Sequence, residues 1–539
     1  MLRRHDFSQR KPRIDGAYAG SPNRHGERAF QMVANRGRWL RLAAGAAAVW
    51  GGLAHAADTS QPGCEQLSAR QCLDRALVAM GGRDRLLAIH NERYESIGHR
   101  LLTEQSYRQQ PFIASYEHDT LTIDFDKARM SGELHTTWPE ADPHGADISR
   151  TMAVSRNGGS ARVQGQEIPS SRTTLDGLND TLALDPLRLL LTADASTVRY
   201  ASPETLRDTQ HTVLAFDWQG QTIRILLNAT NHLPDAFEST RSFNDYWFAW
   251  GDVDQRVYLD NWKLVHGVEV PTNRVEERNG VLWQSNQLLD VAFNVPLDEK
   301  AFAVDPKVAA ASLKSPDWNR PFDASNRVEL APGIELFKGA WNATIVRQDD
   351  GVIVLEAPIA PSYTRQVLAH ARQEYPGLPM TGVLSSSDSW PHMAGVREAV
   401  AENVPVYVLD LNRPLLQRLV DAPHRIRPDA LAQHPVPAQW RVVAGRTEVG
   451  HGANRAVIYP LRGASTERQY MVYFPAHKLL YASDTLVFNA DRSLYDPELM
   501  HEVIQAVTRE HLQVDTVYAM HEDPTPWSDV LKAVTASLN

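Results

Sequence analysis

The side chains with the greatest chemical potential in this chain crowd into one run, Ser385-Ser386-Ser387-Asp388-Ser389-Trp390-Pro391-His392, directly after the apolar stretch Gly382-Val383-Leu384. A serine a few residues from a histidine invites a reading as nucleophile and base. An activated serine needs a positioned base and an oxyanion hole, and neither G-x-S-x-G nor S-x-x-K surrounds these serines. The same run reads as the start of a helix, with Asp388 or a serine as cap and Pro391 in the first turn. Glu448-Val449-Gly450-His451-Gly452 has the glycines of a phosphate loop without its length or its lysine. His451 therefore reads as a turn residue between strands.

From about residue 326 onward the order of features resembles the metallo-β-lactamase superfamily. Val328 to Leu336 and Asn342 to Val346 look like its opening strands, and Gly351-Val352-Ile353-Val354-Leu355-Glu356-Ala357-Pro358 like its apolar strand ending in an acidic residue. Val404 to Val408 is similar to the next β-rich run, Tyr470 to Asp484 to the strand-turn-strand delivering a bridging aspartate, and Val514 to His521 to the terminal strand ending in a histidine. In that family a loop H-x-H-x-D-H follows a buried strand and holds zinc. Its positions are filled here by Ser387, Ser389, Pro391 and His392, and Ser465, in Gly463-Ala464-Ser465-Thr466, stands where a third histidine is usual.

Imidazole and carboxylate close a zinc site, and an open position carries a water whose pKa falls to about 7. Serine and proline do neither. The resemblance thus implies an α+β chain whose last part is a four-layer αββα sandwich with a depleted ligand set, His392, Asp484 and His521. That set is part of one metal position and almost none of the other, leaving donors for one zinc at most. Each remnant also has a structural reading: His392 as a hydrogen-bonded residue at a helix start, Asp484 and His521 as residues that order their turns. Two functions stay open, a non-catalytic binding or scaffold protein, and a zinc-dependent hydrolase with an atypical single-metal site.

A chain of 539 residues is too long for one core. Leu42 to Ala54 is a short apolar stretch preceded by Arg36, Arg38 and Arg41 and ending in Ala54-His55-Ala56, which reads as a secretory signal peptide and predicts a periplasmic or secreted protein. Met32 is a candidate start, and an uncleaved anchor is the alternative to cleavage. No other apolar run approaches the ~20 residues of a membrane span. Cys64 and Cys72 are the two cysteines; in an oxidising compartment they are expected to pair, and two free thiols are the alternative. A net charge of -10 without a basic cluster in the mature chain argues against a nucleic-acid partner.

Residues 66 to 90 predict a helix pair, or one helix with a break, interrupted at Gly81-Gly82. Alternation over Tyr116–Phe125, Thr212–Trp218, Thr222–Leu227 and Arg256–Leu264, with a turn at Gln219-Gly220, predicts a curved antiparallel sheet. Ala79-Met80-Gly81-Gly82-Arg83-Asp84-Arg85-Leu86 and Leu264-Val265-His266-Gly267-Val268-Glu269-Val270-Pro271 resemble segments of lipoprotein-carrier-like half-barrels. That resemblance implies an apolar small molecule or lipid as partner, with Phe243, Tyr246, Trp247, Phe248 and Trp250 as groove lining or plain core. The expected division is an extension and signal peptide (1–56), a helix plus β-rich half-barrel-like domain (57–306), a linker (307–325, centred on Lys307 to Pro321) and a metallo-β-lactamase-like domain (326–539).

Overall fold

Two sheet systems follow one another along the chain. The computed structural model describes residues 61–103, 112, 114–137, 147–314, 321–339, 341–489 and 491–537. The expected signal stretch, Met32 and residues 315–320 of the expected linker lie outside them. Among the described residues no helix is long and apolar enough to cross a membrane.

The chain enters through the helices Ala69–Ala79 and Arg83–Leu87. Ser68 opens the first with a reciprocal capping box to Gln71, and Cys64 is disulfide-bonded to Cys72. The break between them sits at the expected glycines. Gly81 has φ +114°, and a Cβ there would stand 2.3 Å from the Gly267 carbonyl oxygen, so the helix end and the 265–268 turn approach as only glycine allows.

A 13-stranded antiparallel sheet follows. Its first strand, Asn91–Leu101, pairs with its last, Val281–Phe293, so the chain begins and ends this sheet at the middle. Thr209–Trp218 and Gln221–Asn228 form the predicted hairpin, and both turn residues, Gln219 (φ +47°) and Gly220 (φ +79°), take the left-handed conformation that matches strand twist. The helices Arg172–Leu184 and Pro186–Asp194 connect the two edge strands. Leu175 and Leu178 pack on Ile123, Met130 and Val154 of one arm, while Leu187 and Leu190 join Phe216, Ile225 and Leu288 of the other.

The second half has a seven-stranded and a six-stranded sheet. Period-2 alternation splits each strand between two faces. Ile334, Leu336, Ile353, Leu355 and Leu384 of the first sheet share one buried cluster with Ile458, Tyr470, Val472, Phe474 and Tyr481 of the second. The other face of the first sheet, with Ile345, Val354, Val383 and Val406, meets Val367, Leu368, Ala399 and Leu416 of the helices Pro361–Glu374, Val396–Ala401 and Arg413–Asp421. Val457, Met471, Leu480 and Val517 of the second sheet meet Met500, Val503 and Val530 of the helices Pro497–Arg509 and Trp527–Ser537.

The aromatic run of the first half, read as groove lining or plain core, packs largely as core and is divided among three contacts. Phe248 joins the core of the second half, Tyr246 stacks on Trp390 at 6.1 Å, and Trp247 packs with Phe243 and Val253. Beside it, buried Asp252 accepts from the Arg425 amide (3.0 Å), the Ile426 amide (2.9 Å) and Arg425 Nε (3.0 Å). Gly251, at φ +68°, lies so near Pro423 that a Cβ would stand 2.2 Å from its carbonyl oxygen. The halves are therefore bolted by a carboxylate clamp and a ring stack, and Asp58–Asn539 form one unit.

One buried acid in the first half makes stability depend on pH. Glu92 is fully buried, and neither carboxyl oxygen has a hydrogen-bond partner. Burial, reinforced by the Asp185 carboxylate and opposed by Arg274 and Arg188, pushes its pKa up to about 8. A raised folded pKa means that the folded state holds the proton more tightly, so the stability it contributes is full below the unfolded value and is lost as pH rises through the folded one. The urea midpoint should fall between about pH 5 and pH 8.5 and Glu92→Gln should flatten that fall; an unchanged slope in the variant would refute this assignment.

Candidate functional site

The ends of strands from both sheets converge on one row of polar side chains, buried at Glu356 and His392, half-buried at Asp484 and exposed at His521. Glu356 follows Val352–Leu355, His392 lies in the short helix Trp390–Met393 after Met380–Ser385, Asp484 follows Leu479–Tyr481, and His521 follows Thr516–Tyr518. His392 Nδ1 is 2.9 Å from Glu356 Oε2. Its Nε2 is 3.6 Å from Asp484 Oδ2, beyond hydrogen-bond length. Asp484 Oδ1 in turn is 3.1 Å from His521 Nε2. The expected triad is thus brought together, extended at its buried end by a carboxylate not singled out as a site residue.

Glu356 is itself tightly held. Tyr481 donates its hydroxyl to Glu356 Oε1 at 2.7 Å, Ser386 donates its hydroxyl to the same oxygen, and the Ser386 amide reaches Oε2 at 3.3 Å. Ser386 and Ser483 hydroxyls are 2.7 Å apart. Glu356 (φ +77°) and Ser483 (φ +58°) both adopt left-handed backbone, a strained state that persists only where its surroundings over-determine it.

The electrostatics follow from this packing. Burial alone would lower the His392 pKa, but the Glu356 and Asp484 carboxylates outweigh it and hold it up to about 10. For Asp484, burial would raise the pKa, and the neighbouring His392 and His521 imidazoles outweigh it and hold the carboxyl well below its usual range. The imidazole of His392 thus stands between two carboxylates, Glu356 at 2.9 Å and Asp484 at 3.6 Å.

Asp484 and His521 reach a cavity of about 320 Å³, with Trp341, Ser389, Pro391, Gln469 and Tyr495 among its walls. His392 is fully buried behind it. Of the four substituted positions, Ser389 and Pro391 face the cavity. The Ser387 hydroxyl accepts the Ser389 amide at 3.2 Å, and Ser465 donates its amide to Glu502 at 3.0 Å. Ser389 stands at the N-cap position, yet its side chain makes no capping bond, because the turn is closed through Ser387 instead. His451 lies in the turn between Thr447–Val449 and Ala456–Pro460, paired with Asp350 at 2.9 Å.

Sequence reasoning missed Glu356 and Trp341 as site residues. An acidic residue ending an otherwise apolar strand was the available signal for Glu356. Trp341 gave none, since its contacts, Trp390 at 5.2 Å and His521 at 6.4 Å, are distant in sequence.

The donor set does not fit two metal ions. A catalytic zinc takes three protein ligands and a water. The expected donors number three, with Asp484 Oδ1 3.1 Å from His521 Nε2 and Oδ2 3.6 Å from His392 Nε2. Among the described residues no group of three or more His, Cys, Asp or Glu is spaced to hold a metal ion.

No protein-family model matches the chain, and no curated protein matches it. Solved structures similar to it include the DIM-1 metallo-β-lactamase (13% identity, 40% of this chain and 97% of that one, TM-score 0.32). A metallo-β-lactamase from Pontibacter korlensis is similar at 15% identity, over 39% of this chain and 98% of that one, with TM-score 0.30. The sec-alkylsulfatase Pisa1 from Pseudomonas sp. is similar at 14% identity and TM-score 0.29, over 39% of this chain and only 40% of its own length. These likenesses do not bear on what this chain acts on. The resemblance of the first half to lipoprotein carriers finds no support among them.

Removing one partner of a buried ion pair costs about 3–5 kcal/mol. Glu356→Ala should lower the unfolding free energy by about that amount, whereas Ser465→Ala, which keeps the amide bond to Glu502, should change it by under about 1 kcal/mol. Urea titration followed by circular dichroism reads both, and equal effects would contradict a structural role for the charge row.

Proposed function

We propose that residues 326–539 form a four-layer αββα sandwich of metallo-β-lactamase type that has given up its metal centre. The chain then works outside the cytoplasm as a non-catalytic binding protein, a pseudoenzyme in its second half. The observation that carries this reading is the mutual pairing of Glu356, His392, Asp484 and His521, alongside Ser387, Ser389, Pro391 and Ser465 where metal donors would be needed. Export is supported by the apolar stretch at Leu42 to Ala54 and by the Cys64–Cys72 disulfide, a bond typical of oxidising compartments. The division at 57–306, 307–325 and 326–539 belongs to the same reading, with the second half as a scaffold docked on the β half.

One observation favours the second reading, a hydrolase with a single zinc at His392, Asp484 and His521. Glu356 holds His392 Nδ1 while Nε2 has no hydrogen-bond partner, the orientation a carboxylate gives a zinc-bound histidine. The two readings separate in a thermal-shift experiment, because an ion that binds only the folded state raises its melting temperature. Added zinc should leave the mature protein unshifted, and should stabilise the quadruple variant Ser387→His, Ser389→His, Pro391→Asp, Ser465→His. A folded quadruple variant indifferent to zinc would overturn the assigned architecture; a shift in the parent, lost in His521→Ala, would establish the hydrolase reading instead.

A further inference from the structure

The cavity beside Asp484 and His521 encloses about 320 Å³, at the lower end of the range of small-molecule sites, about 300–1,000 Å³. Two of its wall residues are more than nine-tenths buried and still carry an unused polar atom. Gln469 is 3% exposed and Ser389 7%. Gln469 Oε1 accepts the Asp484 amide at 3.3 Å, which leaves Nε2 as its donating end. Among the described residues neither Gln469 Nε2 nor the Ser389 hydroxyl has a hydrogen-bond partner. Neither atom is sealed off from the cavity.

Charge narrows the class of ligand. Among the described residues no lysine or arginine lines the cavity, whereas two carboxylates do, Asp484 and Asp496. Asp496 Oδ1 is engaged by the Glu498 and Leu499 amides at 3.1 and 3.3 Å. The imidazole of His521 stands 3.1 Å from Asp484. An anionic ligand would therefore meet carboxylates and find no fixed cation. An ammonium group fails for the opposite reason, since it only donates and offers nothing to Gln469 Nε2. A hydroxyl does both: it accepts from the amide and donates to a carboxylate oxygen of Asp484, each of which has two lone-pair sites.

The remaining walls supply apolar surface. Trp341, Val487, Tyr495 and Leu499 line the cavity, so its occupant needs C–H faces as well as hydroxyl edges. A ring with hydroxyls around its rim and C–H groups on its faces meets both demands at once.

We propose that this cavity binds one neutral sugar ring, with hydroxyls on Ser389, Gln469 Nε2 and Asp484 and a C–H face toward Trp341 and Tyr495. The inference rests on the reading of the second half as a metal-free binding protein and names the ligand class of that same site.

Isothermal titration of the mature full-length chain in EDTA tests it, with the methyl glycosides of glucose, galactose and mannose as probes. Cyclohexylmethanol, cyclohexylammonium and cyclohexanecarboxylate keep a six-membered ring and remove the rim of hydroxyls. At least one glycoside should bind with unit stoichiometry, and none of the three cyclohexyl probes should bind comparably. Ser389→Ala removes a hydroxyl that caps nothing; it should weaken the best glycoside about fivefold at unchanged melting temperature. Tyr495→Ala, at a ring 44% exposed, should weaken it similarly, and keeps the test decisive if Ser389→Ala fails to fold. No binding of any glycoside overturns the proposal, as does equal binding of a cyclohexyl probe or unchanged affinity in either folded variant. The melting temperature with added zinc and no EDTA separates the two claims. A shift there counts against the metal-free reading alone, and absent glycoside binding in a chain unshifted by zinc counts against the sugar site alone.

Discussion

A buried carboxylate must be neutralised or bonded, and the second half is organised around that requirement at Glu356. The residue is 1% exposed, at the end of a strand that packs on both faces. It receives two hydroxyls, one amide and one imidazole. Those partners come from the Ser386 loop and from Tyr481 of the other sheet, so meeting the needs of one carboxylate fixes the relative height of the two sheets at their strand ends. His392, Asp484 and His521 extend the same logic outward to the cavity. Buried pairs of this kind specify geometry more than they add net stability.

The two halves rely on each other at the same place. Tyr246 from the β half stacks on Trp390, in the run Ser385 to His392, and Trp341 meets the same ring edge-on. That run is thus packed as core, with Trp390 only 8% exposed. Asp252 meanwhile anchors the 424–426 loop beside the helices of the second half.

Much of the architecture was legible because it is local. Alternating apolar residues marked strands such as Thr209–Trp218, the glycine pair 81–82 marked a helix break, and the order of short motifs after residue 326 located His392, Asp484 and His521. What was not legible depends on long separations. Glu356 acquires its role from Tyr481, 125 residues away. Tyr246 and Trp390 meet across the halves, and the aromatic run divides because neighbouring residues of a tight 3₁₀ turn join different cores. Ser389 had the chemistry of a helix cap, but the neighbouring Ser387 closes the turn in its place.

The central claim is that Glu356, His392, Asp484 and His521 stand as a row of side chains that holds no metal. Zinc content is the most direct test, measured by elemental mass spectrometry on mature protein prepared without chelators, beside Asp484→Ala. The account predicts the same negligible zinc in both. Close to one zinc per chain in the parent, absent from Asp484→Ala, would contradict it.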